Sequence, residues 1–309
     1  MEIVYLIIFF IIFTINVFYW YENHHSIYFL NKTNIQYIRY DLEKYIQNIS
    51  KYEVYDKIGI QTKHKNIIQT QYIKYIEHFT YYEKNILTQY IKYIRNTYHY
   101  PFLKNNWYFV KINNNLEKGM PFTIGKYIYL PQHFIDTLIY LHKNNLDVEK
   151  KNIYDTLIHE KIHVLQRKNT QVFNTFYTKK LDYIYVKKII IKYPWKQLHF
   201  KNPDGIDINW ILFNKKQYHY YLPMLIIKKK KLKQIAIYLE KKKNYFITTT
   251  KYIPLSNLSI FKQYPKNIST YHPNEITAYI LPKMILKSHT LNKNIINTFK
   301  PLLNNLKTL

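Results

Sequence analysis

Residues 152–168 read NIYDTLIHEKIHVLQRK and hold His159, Glu160 and His163 in an H-E-x-x-H pattern. The spacing predicts a helix: Leu157, Ile158, Ile162 and Leu165 form an apolar stripe, Asn152 is a candidate N-cap, and Arg167 and Lys168 fall in the last turn. Side chains four apart lie one turn apart on the same helix face, so both imidazoles can reach a single Zn²⁺. Glu160, next to the first histidine, then stands beside the metal and can take a proton from its water. With 13 His and 11 Glu in 309 residues, chance supplies about 0.02 such patterns. The plainer alternative is two surface histidines flanking a helical glutamate.

Two histidines do not make a catalytic zinc site, which needs a third protein ligand and an open fourth position. Gln166 and Asn169 stand where the metzincin pattern has Gly and His, so that ligand set is excluded. Residues 271–281, YHPNEITAYIL, offer a glutamate on a second helix instead. Pro273 suits the first helical position, and Glu275 falls in the first turn. Ala278, one of two alanines in the chain, is small enough for close packing on the first helix. A first-turn glutamate also suits the positive end of any helix, without a metal.

His159-Glu160-Lys161-Ile162-His163 followed by Asn274-Glu275-Ile276-Thr277-Ala278 resembles the zincin metallopeptidases of the gluzincin type, H-E-x-x-H with a downstream N-E-x-x-A or N-E-x-x-S. The resemblance covers roughly residues 107–280. It implies His159, His163 and Glu275 as ligands of one Zn²⁺ per chain, Glu160 as general base, and a polypeptide substrate. It also implies that Phe122–Leu130 is an edge strand whose Thr123, Ile124 and Gly125 pair with substrate backbone. No G-x-M-E-N-like aminopeptidase signature is present, which points to cleavage within chains. The Asp that often follows the third-ligand motif is replaced by Tyr279-Ile280. An oxyanion stabiliser is expected, with Tyr271, His272, Tyr279 and His289 as candidates near the ligand helix. Asp204 or Asp207 could orient an imidazole, although Asn202-Pro203-Asp204-Gly205 reads first as a turn.

The elements that must position these groups are legible in part. Trp107–Ile112 reads as a strand, Asn113-Asn114-Asn115 as a turn, and Pro121–Pro131 as a second strand bounded by prolines. Gly119 and Gly125, two of only four glycines, mark backbone needing positive φ or a close neighbour. Residues 34–100 carry Ile, Tyr and Lys at helical spacing. TQYIKYI occurs at Thr70–Ile76 and again at Thr88–Ile94, a repeat that would share one face if a single helix joined the copies. Ordinary amphipathic helices are the preferred explanation, a partner-binding surface the other.

Ile3–Trp20 is uncharged and closes with Tyr19, Trp20 and Tyr21, so it is expected to be a transmembrane anchor. Lys32 and Arg39 follow it, which places the C-terminal portion in the cytoplasm of a single-pass protein, at a virion or host membrane. The net charge of +27 comes from 43 Lys and 3 Arg in a composition rich in residues with A/T-rich codons. It is therefore largely codon bias, and no specific nucleic-acid partner is expected. That bias and the apolar N-terminus resemble proteins of large DNA viruses. The Lys228–Lys233 run reads as a solvated face. Without cysteine, disulfide scaffolds, Cys-ligated zinc and cysteine nucleophiles are excluded.

The expected fold is α+β and mostly helical: an anchor at 1–21, a helical region at 22–100, and a zincin-like domain at 101–309 with a small sheet beside the H-E-x-x-H helix. The expected activity is that of a membrane-anchored zinc endopeptidase. Its rivals are an inactive zinc-stabilised interaction protein and a basic nucleic-acid binder.

Overall fold

The computed structural model describes residues 5–14, 26–205, 209–265 and 268–308. Helix α1 covers residues 5–14. Strand β1 (Ile27–Leu30) leads into helices α2 (Ile35–Asn48), α3 (Val54–Ile58) and α4 (Lys65–Lys74), then β2 (Ile76–Glu77), α5 (Tyr81–Thr97) and α6 (Pro101–Lys104). Strands β3 (Trp107–Ile112), β4 (Phe122–Ile124) and β5 (Tyr127–Pro131) follow, then α7 (Gln132–Lys143), α8 (Asp147–Lys168) and α9 (Thr170–Lys180).

The first sheet runs β1-β3-β5-β4, with β2 also pairing β3. Strand β3 is parallel to β1 and β5, and β4 is antiparallel to β5. Its central strands are near-continuous apolar runs because both faces are covered. Trp107, Phe109, Ile128 and Leu130 point into the core built by α5, α7 and α8. Val110, Ile112, Tyr127 and Tyr129 point the other way, onto α2, α3 and α4. The sheet therefore crosses the boundary expected at residue 100: β1 and β2 come from the region read as a separate helical unit.

A second, curled sheet takes six strands from the described residues between Tyr183 and Pro254. Its order is β6 (Tyr183–Tyr185), β8 (Trp210–Asn214), β9 (His219–Lys228), β10 (Lys231–Lys241), β11 (Phe246–Pro254) and β7 (Ile189–Ile190). The Lys228–Lys233 run spans the β9–β10 hairpin tip and is largely solvent-exposed, with Lys229 and Lys230 in the left-handed region at φ 52° and 62°. Short α10 (Trp195–Leu198) covers one face, and α11 (Pro273–Ile285) and α12 (Lys293–Asn305) close the main core.

Two expectations about the fold are overturned. The described residues are about 52% helix and 21% strand with a curled six-stranded sheet, so a mostly helical domain with one small sheet does not describe them. Among the described residues no helix is long and apolar enough to cross a membrane. The described part of α1 is residues 5–14, and residues 1–4 and 15–21 of the expected anchor lie outside the described residues.

The two TQYIKYI copies also part company. The first ends α4 and enters β2, the second lies inside α5, and Thr80 starts α5 with a capping box to Glu83. No single helix joins them.

Candidate metal centre

Helix α8 begins at Asp147 with Leu146 as its N-cap, six residues before the expected cap Asn152. The apolar stripe Leu157, Ile158, Ile162 and Leu165 is buried and clamps the helix onto the first sheet and α11. This turns His159 and Glu160 into a cleft of about 740 Å³ between the two sheets, walled by Phe122, Phe200, Leu225 and Phe261, with His163 buried beside them. Helix α11 starts as its sequence predicts. His272 is the N-cap, its Nδ1 accepting from Asn274 N at 3.1 Å, and Pro273 opens the first turn. Ala278 is fully buried against α8.

These two helices bring His159, His163 and Glu275 together, with a ligand atom from each within 4.8 Å of the others. His163 Nε2 lies 3.0 Å from His159 Nε2 and 3.7 Å from Glu275 Oε1, and His159 Nε2 lies 3.8 Å from Glu275 Oε2. Donors about 2.0–2.1 Å from a tetrahedral zinc are separated by roughly 3.3 Å, and these three distances bracket that value.

Electrostatics support the same fit. Burial, reinforced by the neighbouring His163, lowers His159 to a pKa of about 3. Burial, reinforced by Arg167, lowers His163 to about 3 as well. Both rings are neutral at pH 7, as metal ligation requires. Burial, with Asp204 close by, pushes Glu160 and Glu275 well above the usual carboxylate range. A buried cation is the group that would relieve this clustering of carboxylates. Glu160 Oε2 is buried without a hydrogen-bond partner, a polar atom aimed where a water or ion would satisfy it. The donor set therefore fits zinc.

Groups not picked out from sequence orient the ligands. Gln166 Oε1 accepts from His163 Nδ1 at 2.8 Å, which leaves Nε2 facing the cluster. Gln166 Nε2 in turn donates to Asn274 O and Thr277 Oγ1 on α11. The Ala278 carbonyl hydrogen-bonds the His159 ring. Asn202 Nδ2 donates to Glu275 Oε1 at 2.8 Å. Gln166 carried a readable signal, one turn after His163 on the same helix. Asn202 carried none beyond its turn composition, because 73 residues separate it from Glu275.

Other expected roles are redistributed. Phe122–Leu130 is a hairpin turning at Gly125-Lys126, so only β4 is an edge. At Thr123 that edge is already engaged: its N–H and hydroxyl donate to Asp204 Oδ1, and its carbonyl accepts from Arg167. Substrate pairing along Thr123, Ile124 and Gly125 is therefore blocked at its centre. Asp204 holds this edge and Arg167, and no hydrogen bond links it to an imidazole. Asp207 lies outside the described residues. Of the oxyanion candidates, His272 is used as a cap and His289 is exposed outside the cleft. Tyr271 is buried beside Glu275, its hydroxyl without a hydrogen bond. Tyr279 lines the cleft with its ring edge-on to His159 at 4.6 Å.

Comparison with protein-family models, with curated proteins and with solved structures yields no match to this chain.

Proposed function

We propose that the chain is a zinc-dependent endopeptidase. The observation that carries this reading is the convergence of His159, His163 and Glu275, from two helices, on one point beside Glu160 in an open cleft. When bound there, zinc supplies Lewis acidity, polarising a carbonyl and acidifying a water. Glu160, with a partnerless oxygen in the same cleft, takes the proton from the attacking water and returns it to the departing nitrogen. Burial and the nearby carboxylates raise its proton affinity. Tyr279, which lines the cleft and is held neutral with a pKa pushed up to about 12 by burial and Glu275, is the candidate to donate to the developing oxyanion.

The test is cleavage of a quenched-fluorescence peptide mixture by zinc-loaded protein and by Glu160→Gln. The substitution should lower turnover by roughly 10²–10⁴-fold while one zinc per chain remains bound. Equal turnover in the two proteins, or none in the parent, would leave a zinc-stabilised interaction protein as the better description.

A further inference from the structure

The two oxygens of the third ligand are not equivalent. Glu275 Oε1 accepts the Asn202 amide at 2.8 Å and lies 3.7 Å from His163 Nε2, while Oε2 lies 3.8 Å from His159 Nε2. Which way the Asn202 amide points is fixed by its surroundings. Its Oδ1 accepts the backbone N–H of Asp204 at 3.3 Å, so the NH₂ end must face the carboxylate.

Asp204 itself cannot shift easily. Its carboxylate takes the N–H and hydroxyl of Thr123 and an Arg167 N–H, and its carbonyl accepts from Asn274 Nδ2 at 3.2 Å. A closed circuit results, running His163, Gln166, Asn274, Asp204, Asn202, Glu275 and back to His163 across the 3.7 Å gap. It joins α8, α11 and the Asn202–Gly205 segment, and the gap in it is where the three ligand atoms converge.

We infer that Asn202 is a positioning residue for the metal centre. By holding Oε1 it fixes the carboxylate with one oxygen toward each imidazole, at 3.7 and 3.8 Å, where a metal would meet all three side chains. This inference rests on the zinc reading above.

The experiment uses the full chain loaded with Zn²⁺ or, for its visible spectrum, Co²⁺, as parent, Asn202→Ala and Asn202→Asp. Loss of the amide leaves the carboxylate free to turn. Asn202→Ala should therefore bind zinc roughly 10–100-fold more weakly than the parent, show an altered Co²⁺ visible spectrum, and turn over roughly 10–100-fold more slowly. Asn202→Asp keeps the shape and the acceptor for Asp204 N–H but sets an oxygen against Glu275. It should lose zinc affinity by roughly 10–100-fold.

A Co²⁺ spectrum altered in protein that still takes up the metal is not what a general folding defect produces, and melting curves of the metal-free proteins check that separately. Identical Co²⁺ spectra and turnover in the parent and Asn202→Ala would overturn the inference while leaving the zinc site intact. A parent chain that takes up no metal, or holds it equally well in His163→Ala, would overturn the zinc reading itself.

Discussion

At the residue scale, the histidines and the glutamates of the centre are held in opposite ways by the same burial. Neutral imidazoles need only their rings oriented, so Gln166 is expected to matter through His163 alone. Gln166→Ala should weaken zinc binding by roughly 10–100-fold in a competition titration with a chromophoric chelator. No change would mean the ring is fixed by packing. Away from the centre, His199 offers a cleaner view of the same physics. Burial, aided by Lys201 and Lys57, lowers it to a pKa of about 3. Below about pH 6.5 the unfolded chain binds a proton there that the folded chain refuses until about pH 3. The His199 contribution to stability is thus complete above pH 6.5 and is lost as pH falls toward 3. The slope is at most about 1.4 kcal/mol per pH unit. His199→Gln should melt with a visibly shallower acid limb across that window; a superimposable pH profile would show that His199 titrates normally.

At the element scale, the local signals that worked and those that failed can be separated by what each element depends on. Helices α8 and α11 were legible because their stripe, proline and small residue are properties of a few consecutive positions. The β4–β5 hairpin was not, since Gly125 adopts φ 59° in a turn flanked on both sides by strand-forming residues, so the pair read as one strand. The second sheet was hidden for a similar reason. Its β9–β10 turn uses Lys229-Lys230 where a type I′ turn normally has Asn-Gly, leaving no break in the pattern. The TQYIKYI pair shows the limit most sharply, since one heptapeptide is helix plus strand in one place and helix alone in another. At Gly125 an added Cβ would fall 2.1 Å from Asp41 Oδ2 on α2, on top of the positive φ. Gly125→Ala is therefore expected to cost about 1–2 kcal/mol in denaturant unfolding.

Helix α3 gives a stronger case. Lys57 is fully buried and donates to Glu117 Oε2 at 2.6 Å, to Tyr45 Oη at 2.8 Å and to Lys201 O at 2.6 Å. Lys57→Met strands the Glu117 carboxylate and should cost about 3–5 kcal/mol, most of it recovered in Lys57→Met/Glu117→Gln. A double variant as unstable as the single one would show that packing, and not the buried charge, was lost.

At the scale of the whole molecule, the described part of the N-terminus stands apart. Leu6–Phe13 on α1 is apolar throughout, each of these residues is at least 47% exposed, and none belongs to the three core clusters. Removing residues 1–25 should leave the melting temperature of the remainder within about 2 °C of the full chain. It should also reduce self-association in sedimentation, because so exposed an apolar surface promotes association. A large fall in melting temperature would show that the segment packs on the core. The first sheet has the reverse property, for it cannot be cut at residue 100 without stripping β1 and β2 from β3. That arrangement also sets a timetable for a chain emerging from a ribosome. Ser26 and its partner Asn106, at the start of the β1–β3 pairing, are 80 residues apart, so β1 must wait unpaired until β3 is made. Gln166 and Asn274 are separated by a further 108. At roughly 5–20 residues per second, a nascent chain presents its two imidazoles several seconds before the helix bearing Glu275 exists. The candidate centre is therefore a late acquisition in the life of each molecule, assembled only once the last of its side chains has been made.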